Sequence, residues 1–261
     1  MDSTRSGKKP HREIYLLPNL FTTAALFAGF YAIVAAMNGR FAAAAVAIFV
    51  AMVLDGVDGR VARMTHTQSA FGAEYDSLAD MVSFGLAPAL VVYAWSLSWL
   101  GKVGWLAAFI YAAGAALRLA RYNAQVGSAD KRYFQGLPSP SGAALLAAVV
   151  WLGDDYGISG QTAVGLTMAV TLAAGLLMVS NIRYHSFKEL DLRGRVPFVA
   201  LLAVVLVFVF VSSHPPLVLF LMFAAYALSG PILTLWQIRR RRAARRLGEQ
   251  RPSSERGTGD H

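Results

Sequence analysis

Eight apolar stretches, roughly 20–37, 41–58, 76–98, 101–121, 138–152, 161–182, 196–212 and 215–238, dominate this chain of 261 residues. Most approach or exceed the length of a helix that crosses a bilayer, about 20 residues. In hydrocarbon every backbone N–H and C=O needs an internal partner, so stretches of this kind fold as helices. The expected fold is all-α: a polytopic membrane protein with about eight transmembrane helices. The fifth stretch, 138–152, is short for a bilayer and has to be tilted or shielded by protein. The first run lacks a small-residue cleavage site and is read as an uncleaved helix. With no cysteine in the chain, disulfides, zinc thiolates and thiol nucleophiles are excluded.

The net charge of +9 suggests nucleic acid only until its distribution is read. Eight spans make the loops alternate between two sides. From Arg118 onward in the fourth span, one side collects every Lys and Arg except Arg40 and Lys102. That asymmetry places both termini and the loops 59–75, 122–137 and 183–195 in the cytoplasm. The expected setting is the cytoplasmic (inner) membrane, with no nucleic-acid partner. Residues 1–13 read as a mobile basic N-terminus. Residues 239–261 read as a basic disordered tail, whose Arg239-Arg240-Arg241-Arg242 run suits anionic lipid headgroups. No internal repeat is visible, which gives an inverted-repeat transporter little support.

Against this background the acids at 55–80 stand out. Asp55 and Asp58 are spaced i, i+3, and Asp76 and Asp80 are spaced i, i+4. Each pair lies on one face of a helix. Carboxylates at the ends of apolar spans are costly unless something neutralises them. Oxygen ligands without cysteine fit a hard cation, Mg²⁺ or Mn²⁺. Four carboxylates can hold two such ions, an arrangement that clamps a diphosphate during displacement at phosphorus. Gly59 lets a bulky ligand approach the backbone. Arg63 can reach a phosphate as a bidentate donor. Asp80, the deepest carboxylate, is the best placed general base for an incoming hydroxyl. Two other readings stay open: wet helix ends paired with Arg60 and Arg63, and a metal-coupled transporter. Asn19 and Thr22, at the start of the first span, either cap it or hydrogen-bond a ligand.

The residues Asp55, Asp58, Gly59, Ala62, Arg63, Gly72, Asp76 and Asp80 fit the pattern D-x2-D-G-x2-A-R-x8-G-x3-D-x3-D at every position. In this the chain resembles the CDP-alcohol phosphotransferase family. The resemblance implies a helical membrane fold, a homodimer, and transfer of a phosphatidyl group from a CDP-linked lipid to an alcohol. It also implies that Asp55, Asp58, Asp76 and Asp80 bind two metal ions, and that Asp80 accepts the alcohol's proton. Asn19, Thr22, Gly59, Arg63 and Ser69 would contact the CDP part. A core of six helices over 14–190, with two additional helices over 191–238, is the expected organisation.

Three further segments bear on the acceptor. Arg118-Leu119-Ala120-Arg121-Tyr122-Asn123, Gly136-Leu137-Pro138-Ser139-Pro140 and Ser180-Asn181-Ile182-Arg183-Tyr184 all fall on the cytoplasmic side. The prolines rigidify the start of the fifth span, and Arg118, Arg121 and Arg183 suit a carboxylate or phosphate. These segments, with Ser83-Phe84-Gly85-Leu86-Ala87-Pro88, resemble the membrane-embedded bacterial phosphatidylserine synthases. The implied donor is CDP-diacylglycerol and the implied acceptor L-serine, with Arg118, Arg121, Ser139 and Arg183 as acceptor-binding candidates. Glycerol 3-phosphate or inositol phosphate is the alternative acceptor. Pro88 is expected to kink the third span.

Overall fold

The structure, a computed structural model, describes residues 16–64, 69–124, 133–185, 206 and 209–249. In chain order come α1 (Leu16–Met37), α2 (Phe41–Met64), α3 (Ala70–Asp80), α4 (Ala87–Trp95), α5 (Lys102–Ala124), α6 (Ser139–Asp155), α7 (Val164–Val179) and α8 (Pro215–Glu249). Among the described residues, five helices are long and apolar enough to cross a membrane. The fold is an all-α polytopic membrane protein.

Small residues set the packing. Ala28, Ala32, Ala35 and Ala36 of α1 and Ala44, Ala45, Ala47 and Ala51 of α2 are all buried. These two helices share the most extensive interface in the molecule. Lipid offers no hydrophobic drive to associate, so close backbone approach through alanine provides the contact. The hairpin between them closes on Gly39, which takes φ 70°. Its N–H and that of Arg40 bond back to Ala36 and Ala35, a Schellman ending that a left-handed glycine permits.

The short fifth span is α6, at 17 residues. Every residue from Gly142 to Val150 is buried. A helix apolar on all sides is a core helix, and α2, α4, α7 and α8 pack around this one. Shielding by protein, one of the two expected remedies, therefore accounts for its length.

The third span differs from expectation at its start. It begins at Phe71 instead of 76, and the second helix continues to Met64. Asp55, Asp58, Asp76 and Asp80 therefore all lie within helices. Ser69 caps α3 by accepting the Gly72 N–H at 2.9 Å. Between α3 and α4 the helix widens into a π turn, Met81–Leu86. Pro88 explains it: with no N–H, it cannot bond the Phe84 carbonyl four residues back. The Tyr111 hydroxyl donates to that carbonyl instead, at 3.0 Å. The expected disturbance at Pro88 thus takes the form of a π turn. The turn is also pressed against α1, where Ser83 donates to the Ala25 carbonyl at 3.1 Å.

Two short strands, Tyr133–Gln135 (β1) and Arg183–His185 (β2), form an antiparallel ribbon pairing Phe134 with Tyr184. Sequence reading had not placed strands there. Most of the expected seventh span, 196–212, and the N-terminus 1–13 lie outside the described residues. Helix α8 continues to Glu249, so the first part of the expected tail is helical.

Gly29 tests the α1 contact. A Cβ there would stand 2.6 Å from Ser83 Oγ and 2.7 Å from Ser83 Cα. A backbone atom cannot step aside as a side chain can, and overpacking costs about 1–3 kcal/mol. Gly165 has open space around it. Gly29→Ala lowers the thermal midpoint of the solubilised protein, while Gly165→Ala leaves it unchanged or raises it.

Candidate active site

Carboxylate oxygens of Asp55 on α2 and of Asp76 and Asp80 on α3 lie within 4.8 Å of one another. The two helices run side by side against α1, and the expected spacing puts three of the four acids at one point. The fourth, Asp58, is 5% exposed. Thr22 Oγ1 donates to it at 2.8 Å, and the Gly59 N–H donates as well. Asp58 is thus fixed in orientation from α1. Thr22, expected to touch a ligand, is itself buried and bonded to this acid.

Three carboxylates this close repel one another strongly in an apolar setting. Arg118 is the cation within electrostatic reach of Asp80 among the described residues. One guanidinium does not balance the cluster, and the donor set is all oxygen. That combination fits divalent cations with hard-ligand preference. Asp55, Asp76 and Asp80 supply converging oxygens, and Asp58 adds a pre-oriented carboxylate beside them.

The space beside the cluster is lined with little bulk. A Cβ on Gly59 would meet nothing within 4 Å, so the backbone there is open to a ligand. A Cβ on Gly72 would lie 3.1 Å from Ser69 Oγ and 3.7 Å from Asn19 Oδ1. Asn19 and Ser69, distant in sequence, therefore meet at the start of α3. The Thr23 hydroxyl shares a 2.9 Å hydrogen bond with Tyr75, which ties α1 to α3 on the same side. The backbone of Arg63 lies on α2; its side chain lies outside the description.

Arg118 extends from α5 and donates through Nη1 to Ser139 Oγ at 2.6 Å. Ser139 is fully buried at the start of α6. The Arg118 Nε is buried and finds no hydrogen-bond partner among the described residues. The Gly-Leu-Pro-Ser-Pro segment explains how Ser139 is placed. Gly136 has φ +80° and presses on the Met178 carbonyl, where a side chain would collide. Leu137 is a fully buried plug, and Pro138 and Pro140 flank the first turn of α6.

Arg121 does something else. Its guanidinium donates to the Val179 carbonyl at 2.7 Å and to the Ser180 carbonyl and Asn181 Oδ1 at 3.4 Å. Those carbonyls end α7, where a cation satisfies both the orphan acceptors and the helix dipole. Arg183 pairs with Gln135 in the ribbon, and its side chain is not described. Sequence reading missed three tyrosines near Arg118: Tyr111, Tyr122 and Tyr226 all lie within its electrostatic reach. For Tyr111 a signal existed, since Pro88 leaves a carbonyl that needs a donor.

Residues 15–180 match the family model for CDP-alcohol phosphatidyltransferase. The chain belongs to the CDP-alcohol phosphatidyltransferase family. This membrane transferase is similar to a Helicobacter pylori protein named CDP-diacylglycerol–serine O-phosphatidyltransferase. The two are 38% identical over 200 residues, covering 77% of this chain and 84% of that one. A Methanocaldococcus jannaschii protein of the same name is 36% identical over 182 residues, covering 69% and 80%. A third, from Mycobacterium tuberculosis (strain ATCC 25618 / H37Rv), is 41% identical over 179 residues, covering 65% and 60%. The family match takes in the aspartates, Arg118 and Ser139, and stops before β2 and α8.

Burial of Asp58 gives the site a checkable dependence. Losing a donor to a buried charged group costs about 1–3 kcal/mol or more. Thr22→Val in EDTA lowers the thermal midpoint, and Thr22→Ser, which keeps the hydroxyl, restores it.

Proposed function

We propose that this protein transfers the phosphatidyl group of CDP-diacylglycerol to the hydroxyl of L-serine, giving phosphatidylserine and CMP. The observation that carries the reading is the convergence of the aspartate cluster with the buried Arg118–Ser139 pair. The first suits a diphosphate donor and the second a small anionic acceptor. The serine named in the relatives' titles supports the choice of acceptor. A buried guanidinium with a spare N–H is costly until an anion fills it, and the carboxylate of serine is such an anion.

In this reading Asp55, Asp58, Asp76 and Asp80 hold two Mg²⁺ or Mn²⁺ ions. The chemistry such ions supply when bound is charge neutralisation of the diphosphate and stabilisation of charge at phosphorus. The protein's own residues do the rest. Asn19 and Ser69 face the nucleotide side, Thr22 holds Asp58, and the bare backbone at Gly59 admits the diphosphate. Arg63 pairs with a phosphate of the CDP part. Arg118, through the donors not given to Ser139, takes the serine carboxylate. Arg183 lines the same side, and Arg121 keeps the end of α7 in place. Asp80 accepts the proton from the serine hydroxyl. That oxygen forms a bond to the phosphorus bearing diacylglycerol as the bond to CMP breaks. A serine hydroxyl is a weak nucleophile at neutral pH, so proton acceptance by Asp80 accompanies the attack.

The positive-inside distribution supports a site facing the cytoplasm, where CDP-linked lipid and free serine meet. The acyl chains remain in the bilayer beside the helices, and two copies of the chain associate as a homodimer.

Two experiments test this. Purified protein with CDP-diacylglycerol and Mg²⁺ or Mn²⁺ releases CMP on addition of L-serine, and EDTA stops the release. CMP release with glycerol 3-phosphate or inositol phosphate but not serine would replace the acceptor. Absence of release with every alcohol would favour a transporter. Separately, Asp80→Asn lowers turnover by at least about a hundredfold, the low end of general-base contributions. CDP-diacylglycerol binding in the same variant is retained. Wild-type turnover in Asp80→Asn would remove it as the base.

A further inference from the structure

Helix α8 lies beyond the residues that match the family, and most of it has little to do with the rest of the protein. Only 11% of its membrane-crossing window is buried, against 33–50% for the other four long apolar helices. Leu221, Leu228, Ile232 and Leu233 are exposed, as expected of a surface that meets lipid. Its buried contact concentrates at one place. Ala227 and Gly230 are buried, and Tyr226 between them and the bundle is half-buried.

The chain fixes α8 at that place with a specific device. Pro231 lies inside the helix and has no N–H for the Ala227 carbonyl four residues back. The Tyr184 hydroxyl, from β2, donates to that carbonyl at 2.9 Å. The Tyr184 ring occupies the space where a side chain at Gly230 would stand. It also packs on the Tyr226 ring, with centroids 5.6 Å apart. Burial and the neighbouring Tyr226 push the Tyr184 hydroxyl up to about 12, so it remains a donor throughout the physiological range. A second aromatic contact, Phe49 of α2 on Phe223 at 6.2 Å, holds α8 from another helix. Rotation and height of α8 are therefore set at Tyr226. A helix that served only as a lipid-facing anchor would need none of these contacts.

What Tyr226 gains from this mount is proximity to Arg118, within whose electrostatic reach it lies. The other tyrosines around Arg118 differ. Tyr111 gives its hydroxyl to the Phe84 carbonyl, and Tyr122 is 49% exposed. We propose that Tyr226 is an acceptor-binding residue, supplied by α8 to the pocket at Arg118 and Ser139, where its hydroxyl contacts the small alcohol substrate. The proposal rests on Arg118 marking the acceptor side of the site. It gives α8 a role in acceptor selection, and makes Tyr184 a positioning residue that acts through Tyr226.

The cysteine-free chain allows a test that does not depend on turnover. In isolated membranes, the Tyr226→Cys protein is treated with a small anionic methanethiosulfonate, and Leu228→Cys serves as the lipid-facing comparison. Tyr226→Cys reacts because its thiol faces a polar pocket, whereas Leu228→Cys does not. L-serine with CDP-diacylglycerol slows the Tyr226→Cys reaction several-fold. Protection by a different alcohol in place of serine keeps Tyr226 in the acceptor pocket and rejects serine as the substrate. Failure to react, or a rate that no alcohol alters, overturns the proposal. As a milder variant, Tyr226→Phe raises the KM for serine about tenfold, the loss of one hydrogen bond to a charged group. Its KM for CDP-diacylglycerol stays within about twofold of wild type. Equal increases in both KM values, or an unchanged serine KM, would count against it.

Discussion

Carboxylates gathered inside apolar helices cannot be tolerated by the helices alone. The contact among Asp55, Asp76 and Asp80, with oxygens within 4.8 Å, is therefore the constraint to which much of the bundle answers. Helix α1 answers with Thr22, which holds Asp58 beside the cluster. Helix α5 answers with Arg118, placed between Asp80 and the first residue of α6. The alanine seam between α1 and α2 lets these responses reach the same point, because bulkier side chains would hold the helices apart. A cluster so arranged is incomplete as a folded object and complete as a binding site. The same physics thus explains both the packing and the affinity for divalent cations and diphosphate.

A second economy concerns the backbone. Pro88 and Pro231 each interrupt a membrane helix and leave a carbonyl without its helical donor. In water a solvent molecule would repair the loss, but in hydrocarbon an unpaired carbonyl costs several kcal/mol. Tyr111 repairs the first and Tyr184 the second. Each repair joins two elements distant in sequence, so the prolines act as fastening points. The first sets the π turn directly after Asp80, and the second sets α8 beside Arg118. Both fasteners sit next to a functional side chain, where small errors of helix rotation would move a charged group away from its target.

These relations explain which parts of the molecule were legible in the sequence. The aspartates were, because their spacing is a property of a single helix and their presence in apolar spans has few explanations. The membrane helices were, because hydropathy records them directly. The shielding of 138–152 followed from its length alone. The start of the third span was misplaced, since a polar amphipathic turn such as Ala70–Asp80 carries no hydropathy signal. Arg121 and Arg118 read alike in the sequence, both as basic residues near a helix end. Only the folded chain separates them, with Arg121 given to the α7 carbonyls and Arg118 left facing the acids. Thr22 was chosen for good reason, but its direct partner is Asp58. Tyr226 was invisible because nothing local distinguishes a tyrosine in an apolar helix from an ordinary packing residue.

The last point bears on how such an enzyme acquires specificity. Donor chemistry depends on four acids that must keep a fixed spacing on two adjacent helices, and that arrangement leaves little freedom to vary. Acceptor recognition draws on elements farther along the chain: α5, the Gly136–Pro140 segment, the ribbon and α8. These meet only through tertiary contacts such as Arg118–Ser139 and Tyr184–Ala227. A change in that group alters the pocket without disturbing the cluster, since none of its hydrogen bonds runs through Asp55, Asp58 or Asp76. The division allows one phosphoryl-transfer core to serve different alcohols, with discrimination set by polar groups that must be satisfied by the right substrate.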